Sequence, residues 1–140
     1  LLGSTLPSHA LPANAPVLVA TTPAGQLHEL GALAVALSAG REGWNVTYLG
    51  PDVPAEEIAA AVRQSGARMV ALSIIHPADD PHLVDELRRL RKLVGDEVGI
   101  VAGGRAAQGY RQALEANGVV LPNSLQDMRS MLEELRMRQE

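Results

Sequence analysis

The sequence predicts an α/β domain in which one parallel sheet is covered by helices on both faces. Five short apolar segments alternate along the chain with five segments of helical character, the pattern expected of repeated strand–helix units. Several of these segments are continuous apolar runs, which are typical of strands buried on both faces. Apolar residues make up 46% of the 140 residues, enough for the core of one domain. We therefore expect a three-layer sandwich around a five-stranded parallel sheet.

The five predicted strands are aliphatic or β-branched segments bounded by turn residues. They are expected at residues 17–20, 44–49, 69–75, 98–102 and 118–121. Residues 1–14 contain prolines and show no period of 2 or 3.6, so we expect a linker or an arm there. Residues 15–140 are then the folded domain.

Five helices are expected after these strands, at about residues 29–41, 54–64, 81–94, 106–116 and from 125 onwards. The first is apolar nearly all round, which predicts that most of its surface is covered. Asp80 and Pro81 suit the cap and first residue of the third helix. Ser124 and Asp127 resemble a capping box at the start of the last helix.

The predicted site lies where the order of the strands reverses. For five such strands the common order is 2-1-3-4-5, the flavodoxin-like (Rossmann-like) arrangement. Ligands bind in that fold at the carboxyl ends of the first and third strands. His28 follows the first predicted strand and Ser73 lies near the end of the third. We therefore expect both residues to face one crevice.

Composition excludes several classes of function. A net charge of −4 and an aromatic content of 2% argue against nucleic-acid binding by this segment and against a stacking platform for a flavin. The chain has no cysteine and no glycine-rich nucleotide-binding motif. No apolar run approaches the roughly 20 residues of a membrane span. The absence of cysteine fits a cytoplasmic protein, which we expect. Because the chain begins with leucine, we expect a piece of a longer protein.

Four motifs stand in order at the predicted strand ends. They are Gln26-x-His28-x-x-Gly31, Tyr48-Leu49-Gly50-Pro51-Asp52-Val53-Pro54, Ser73-Ile74-Ile75 and Gly103-Gly104. Together they resemble the motifs of the cobalamin-binding domain family, which are Asp-x-His-x-x-Gly, Leu-Gly-x-x-Val-Pro, Ser-x-Leu and Gly-Gly. The resemblance covers about residues 15–121. Within that family the chain looks most like the C-terminal domain of MerR-type, cobalamin- or light-responsive transcriptional regulators.

This resemblance implies specific roles at a cofactor site. His28 would be the lower axial ligand of cobalt, displacing the cofactor's own benzimidazole, so that cobalamin binds base-off. Gly31 would leave room for the displaced nucleotide tail. Ser73, Gly103 and Gly104 would line the slot that holds this tail. The chemistry agrees, because neutral imidazole is a good ligand for cobalt.

Gln26 departs from the family motif, which usually has an acidic residue two positions before the histidine. That acid accepts a hydrogen bond from the histidine ring and makes the ligand more basic. An amide can also accept this hydrogen bond but carries no charge. We therefore expect His28 to ligate cobalt more weakly and to be displaced more easily.

The resulting hypothesis is a sensory domain of a transcriptional regulator that binds adenosylcobalamin or methylcobalamin. It is not an enzyme by itself, since the sequence shows no nucleophile with a matching base and no carboxylate cluster. The resemblance also implies an upstream helical bundle and a DNA-binding module, and it leaves a homo-oligomer open. Two alternatives remain: a corrinoid carrier of a methyltransferase system, and a degenerate domain that acts only in protein interactions.

Overall fold

The computed structural model describes residues 4–5, 15–26, 30–75, 77 and 79–138. Within these ranges the chain forms one six-stranded sheet with helices on both faces. The strands are β1 (Ser4–Thr5), β2 (Val17–Thr21), β3 (Asn45–Tyr48), β4 (Met69–Ser73), β5 (Gly99–Gly103) and β6 (Val119–Val120). The helices are α1 (Leu30–Arg41), α2 (Ala55–Ser65), α3 (Pro81–Val94), α4 (Arg111–Ala116) and α5 (Leu125–Arg138).

The order of the parallel strands confirms the predicted flavodoxin-like fold. Strands β2 to β6 are parallel and lie in the order β3-β2-β4-β5-β6, which is the 2-1-3-4-5 arrangement. β2 pairs with β4, with Ala20 opposite Ala71, so the order reverses between them. The short β1 adds an antiparallel strand beside β3. Residues 4–5 belong to the segment expected to be an arm, whose other residues up to position 14 lie outside the described ranges.

Two predicted boundaries are wrong by more than one residue, and each has a local cause. The third parallel strand ends at Ser73, not Ile75. Ile74 is fully buried, so its apolar side chain continues the pattern of the strand. Its carbonyl, however, accepts a hydrogen bond from Ala106 N at 3.0 Å, outside the strand ladder. The fourth helix was expected from residue 106. A 3-10 turn (Ala107–Tyr110) comes first, and the α-helix begins only at Arg111.

Two apolar clusters fill the space between the sheet and the helices. α2, α3 and α4 cover one face, where Ile58, Leu87 and Leu114 are fully buried. α1 and α5 cover the other face, where Trp44 donates its Nε1–H to the carbonyl of Leu132 at 2.9 Å. Burial of each large apolar side chain stabilises the fold by about 1.5 to 3 kcal/mol.

The surface of α1 is less covered than its composition predicts. Ala32, Val35 and Ala36 are buried against the sheet, as an outer-layer helix requires. Ala34 is exposed and Leu37 is 55% exposed, because a helix in an outer layer packs on only part of its circumference. Most of the described part of α1 is nevertheless buried or half-buried, as expected, and only this stripe departs from the expectation.

The predicted helix caps are confirmed. Asp80 Oδ1 accepts a hydrogen bond from His82 N at 2.9 Å, and Pro81 is the first residue of α3. Ser124 Oγ accepts from Asp127 N at 3.0 Å at the start of α5. In the part of the chain that the structure describes, no helix combines the length and the hydropathy that a bilayer crossing requires.

Candidate functional site

The carboxyl end of the sheet collects the buried polar side chains. Among the described residues the buried polar side chains are Thr21, Thr22, Gln26 and Ser73, and every one of them lies at this end. Three segments meet there: the β2 loop (residues 22–26), the β3 loop (residues 49–54) and the β4 loop (residues 74, 75, 77, 79 and 80 of the described chain). Burying polar groups costs free energy unless they are hydrogen-bonded, so this concentration marks a specialised region.

Gln26 joins the β2 loop to the end of β4. Its side chain is only 2% exposed, and its Oε1 accepts a hydrogen bond from Ile75 N at 2.8 Å. Its backbone carbonyl accepts a hydrogen bond from Thr22 Oγ1 at 2.5 Å. The loops that follow the first and third parallel strands are therefore in direct contact.

His28, the predicted cobalt ligand, lies outside the described residues. It follows Gln26 by two positions and precedes Gly31 by three, and both of these neighbours lie at the point where the strand order reverses. Its role stays a prediction from the sequence.

The hydroxyl group of Ser73 lies against α1 at Gly31. A Cβ atom at position 31 would be 2.6 Å from Ser73 Oγ, so any larger residue there would force this hydroxyl to move. Ser73 is 3% exposed, and within the described structure its Oγ has no hydrogen-bond partner. An unpaired buried hydroxyl typically costs about 1 to 3 kcal/mol. The junction of α1 and β4 therefore holds a polar atom whose hydrogen-bonding capacity is unused.

The Gly103–Gly104 turn packs on the same junction from the side of β5. Ser73 is opposite Gly103 in the ladder between β4 and β5. A Cβ atom at position 104 would be 2.8 Å from Ile74 N and 2.9 Å from its carbonyl carbon. Gly104 also has a φ of +109°, which side chains rarely allow. The structure therefore brings Gln26, Gly31, Ser73 and this glycine pair into one continuous wall.

Asp52 and Thr22 are site residues that the sequence analysis missed. Thr22 Oγ1 accepts a hydrogen bond from Asp52 N at 2.7 Å, and Asp52 Oδ1 accepts one from Gly25 N at 2.7 Å. Asp52 has a φ of +60°, the only positive value among the described non-glycine residues. The sequence carried one signal, since aspartate in a Gly-Pro-Asp turn is among the few residues that tolerate this conformation.

Tyr110 holds the β4 loop from the opposite side and was also missed. Its hydroxyl accepts a hydrogen bond from Asp80 N and donates one to Pro77 O, both at 2.7 Å. Burial raises the pKa of the Tyr110 hydroxyl; the hydrogen bond from Asp80 N opposes this shift, and the Asp80 and Asp79 carboxylates add to it. The hydroxyl therefore stays protonated, as its hydrogen bond to Pro77 requires.

The arrangement suits a large organic ligand better than a small ion. Gly104 lies close to the backbone of Ile74, and Gly31 lies close to the side chain of Ser73. The Ser73 hydroxyl and the Gln26 amide supply hydrogen-bonding groups. These features lie at the position where open α/β sheets bind their ligands.

Comparison with known proteins agrees with this description. Residues 16–122 match the B12 binding domain family. The repressor CarH of Myxococcus xanthus, named an HTH-type transcriptional repressor, is 34% identical over 88 residues, which are 63% of this chain and 29% of that protein. CarA, another HTH-type transcriptional repressor of Myxococcus xanthus, is 28% identical over 117 residues, which are 84% of this chain and 40% of that protein. The chain thus spans less than half the length of these relatives.

The fold is also similar to that of a solved complex. The methanol:cobalamin methyltransferase complex MtaBC from Methanosarcina barkeri superposes with a TM-score of 0.73 at 22% identity, covering 93% of this chain and 50% of that one. The family match, the strand order and the positions of the four motifs agree. The chain belongs to the B12-binding domain family, whose members are modules that bind a cobalamin cofactor and are not enzymes in themselves.

Proposed function

We propose that this chain is the cobalamin-binding sensory domain of a transcriptional regulator and binds its cofactor base-off, with His28 as the lower ligand of cobalt. The observation that carries the proposal is the buried, unpaired Oγ of Ser73 at the junction of α1 and β4. The regulator assignment is supported by the similarity to CarH and CarA. The binding domain would comprise residues 15–140.

The described residues fit the cofactor that the family implies. Ser73 Oγ would gain the hydrogen bond that it lacks from a polar group of the nucleotide tail. The tail would reach Ser73 at the junction of α1, β4 and β5, where Gly31, Gly103 and Gly104 add no side chain. When bound, cobalamin supplies the reactivity of its cobalt–carbon bond, while the protein supplies binding and orientation.

Gln26 would tune the metal ligand without carrying charge. Its Oε1 accepts a hydrogen bond from Ile75 N, and an amide oxygen has a second lone pair that can accept from an imidazole N–H. A neutral acceptor polarises the ring less than a carboxylate does. We expect His28 ligation to be weaker than with an acid at position 26.

In a longer protein, a helical bundle would cover the upper face of the corrin ring, and a DNA-binding module would precede it. Adenosylcobalamin or methylcobalamin would be the bound form, in a cytoplasmic protein that can form homo-oligomers. The DNA-binding module is supported by the names of CarH and CarA as HTH-type transcriptional repressors, of which the chain covers 29% and 40%.

Two alternatives make different predictions. A corrinoid carrier would bind the cofactor in the same way and exchange a methyl group with a methyltransferase; the similarity to MtaBC concerns the fold alone. A degenerate domain would retain no cobalamin, and the neutral Gln26 in place of an acid is the observation that favours it.

The test is to mix the purified chain with hydroxocobalamin, methylcobalamin and adenosylcobalamin and to record visible spectra after desalting. We expect retained cofactor with a histidine-ligated spectrum, which His28→Ala abolishes. His82→Ala is the matched control, since His82 is an exposed residue in the first turn of α3 and should leave the spectrum unchanged.

Gln26→Glu is examined in the same assay. It should raise the affinity for cobalamin and slow the displacement of His28 by added cyanide. Unchanged affinity and unchanged displacement would contradict the role given to Gln26. Failure of every cobalamin to bind, even to the full-length protein, would refute the cofactor proposal and favour the interaction module.

A further inference from the structure

We propose that Asp52 is a positioning residue for the cofactor site, holding residues 22–26 of the β2 loop, the segment that precedes His28 in the sequence. The inference rests on the proposed function and extends it to a residue outside the set that the motifs assign to the cofactor. Asp52 lies in the β3 loop, 27 residues from Gly25, and reaches across to the β2 loop with both its side chain and its backbone.

The side chain of Asp52 holds the middle of the β2 loop. Its Oδ1 accepts a hydrogen bond from Gly25 N at 2.7 Å, and the next residue, Gln26, faces the end of β4. Gly25 has a φ of +89°, in a region where glycine moves freely in an unrestrained chain. The carboxylate therefore restrains the most adaptable residue of the loop just before His28.

The backbone of Asp52 holds the two ends of the same loop. Its N–H donates to Thr22 Oγ1 at 2.7 Å, and this hydroxyl donates in turn to the carbonyl of Gln26 at 2.5 Å. Thr22 is fully buried, so the connection is shielded from water. Asp52 is thus linked through Thr22 to Gln26, and through Gln26 to Ile75 on the β4 loop.

The backbone conformation of Asp52 indicates that its side chain has a purpose. Glycine would adopt a φ of +60° without strain, whereas aspartate adopts it at a cost in free energy. Strained residues of this kind cluster at binding sites, where the surrounding structure holds them in place. Asp52 is itself exposed, so burial of its side chain does not explain the strain. The hydrogen bond that its carboxylate accepts from Gly25 N gives a reason for an aspartate at this position.

Removal of the carboxylate would leave the fold intact and loosen the β2 loop. A loop that must be ordered during binding lowers the affinity, because the entropy cost is then paid on association. We expect a loss of about tenfold in cobalamin affinity, the effect of one lost hydrogen bond. The charge is not needed, since the amide oxygen of asparagine can accept the same hydrogen bond.

The experiment compares the wild-type chain with Asp52→Gly and Asp52→Asn. Asp52→Gly keeps the backbone conformation and removes the acceptor, while Asp52→Asn keeps both. Cobalamin affinity and the histidine-ligated fraction are measured by visible absorption, and hydrogen exchange of peptides spanning residues 22–30 is measured without cofactor. We expect Asp52→Gly to bind about tenfold more weakly, with a smaller histidine-ligated fraction and faster exchange, and Asp52→Asn to match the wild type.

Thr22→Val gives a second test from the other end of the connection. It removes the hydroxyl that links Asp52 N to the carbonyl of Gln26 and should shift affinity and exchange in the same direction. Wild-type behaviour of Asp52→Gly in both measurements would overturn the proposal, as would equal losses in Asp52→Gly and Asp52→Asn.

The two proposals fail in distinguishable ways. If the wild-type chain binds no cobalamin, the proposed function is refuted and hydrogen exchange alone decides the role of Asp52. Faster exchange at residues 22–30 in Asp52→Gly but not in Asp52→Asn would then support the positioning role. Equal exchange in all three proteins would overturn it.

Discussion

The two ends of the parallel sheet are held together by different chemistry. At the amino end one charged side chain, Arg91, donates to backbone carbonyls of the segments that lead into β5 and β6. Its acceptors are Gly95 O at 2.8 Å, Val98 O at 2.7 Å, Asn117 O at 2.8 Å and Gly118 O at 3.1 Å. The planar guanidinium group is suited to several such bonds at once.

At the carboxyl end, most of the side-chain hydrogen bonds between segments come from neutral side chains, and among the described residues one buried side chain of this kind has no partner. Thr21, Thr22 and Gln26 each have hydrogen-bond partners, whereas Ser73 Oγ has none in the described part of the chain. A strained residue, Asp52, also lies at this end. The carboxyl end thus differs from the Arg91 site at the amino end, because it keeps a strained residue and a buried hydroxyl with hydrogen-bonding capacity that a ligand could use.

Arg91→Ala should break the amino end and give the largest loss of stability. Backbone carbonyls of the segments that lead into β5 and β6 would lose a charged donor, so we expect the free energy of unfolding to fall by about 2 to 3 kcal/mol. Denaturant unfolding of the cofactor-free protein measures the loss. The cobalamin spectrum of the protein that remains folded should be unchanged, because Arg91 lies at the far end of the sheet.

Arg91→Lys is the matched control for this loss. A lysine keeps the charge but lacks the planar arrangement of five donors, so it should recover only part of the stability. Full recovery by lysine would show that charge, not the set of hydrogen bonds, holds the amino end together.

Tyr110→Phe tests whether the β4 loop depends on its two hydrogen bonds. Asp80 N and Pro77 O would lose their partner, which should lower the free energy of unfolding by about 1 to 2 kcal/mol at neutral pH. The pKa of the Tyr110 hydroxyl is raised, chiefly by burial, so the folded state holds this proton more tightly than the unfolded chain.

The pH dependence follows from this sign. The contribution of Tyr110 is fully present below the ordinary tyrosine pKa of about 10 and is lost as the pH rises through the higher pKa of the folded state. Between pH 8 and about pH 11, the free energy of unfolding should therefore decrease less in Tyr110→Phe than in the wild type. An equal decrease in both proteins would mean that other groups cause the alkaline loss.

Ser73→Ala should have the smallest effect on stability and the opposite sign. It removes a buried hydroxyl without a partner, so the free energy of unfolding should stay constant or rise by up to about 1 kcal/mol. Cobalamin affinity, measured by absorption titration, should nevertheless fall. A rise in stability with unchanged affinity would separate Ser73 from the proposed site.

Thr21→Val is the matched control for Ser73→Ala. Thr21 is equally buried, but its Oγ1 donates to Gly50 O at 2.8 Å. Its replacement leaves Gly50 O with only the longer hydrogen bond from Thr22 N, at 3.5 Å, and should destabilise the protein by about 1 to 2 kcal/mol. Similar changes in the free energy of unfolding for both variants would contradict the expectation that only the hydrogen-bonded hydroxyl stabilises the fold.

The sequence was sufficient for the strand order and for the residue types at the carboxyl end. Alternation of strands and helices predicts the order, and the motifs place Gln26, Gly31, Ser73 and the glycine pair at strand ends, where the structure brings them together. These features depend on local pattern and on the shared direction of parallel strands, which a sequence reveals.

The remaining features depend on contacts between distant segments. Gln26 bonds to Ile75 across 49 residues, and Tyr110 reaches Asp80 across 30. Neither contact leaves a periodic trace. Ile74 extends the apolar run beyond the end of β4, because its side chain is fully buried although the residue lies outside the strand. The composition of α1 does not reveal that Leu37 is exposed, because the position of the uncovered stripe depends on how α1 packs against its neighbours.

The short strand β1 has a practical consequence for how this domain is prepared. Pairing of Ser4 and Thr5 with Thr47 and Tyr48 covers the outer edge of β3. A truncated chain that begins at Ala15, as the expected domain boundary suggests, would leave this edge bare. Bare strand edges recruit strands of other molecules and promote aggregation. Expression of the domain should therefore retain the residues that precede Ala15.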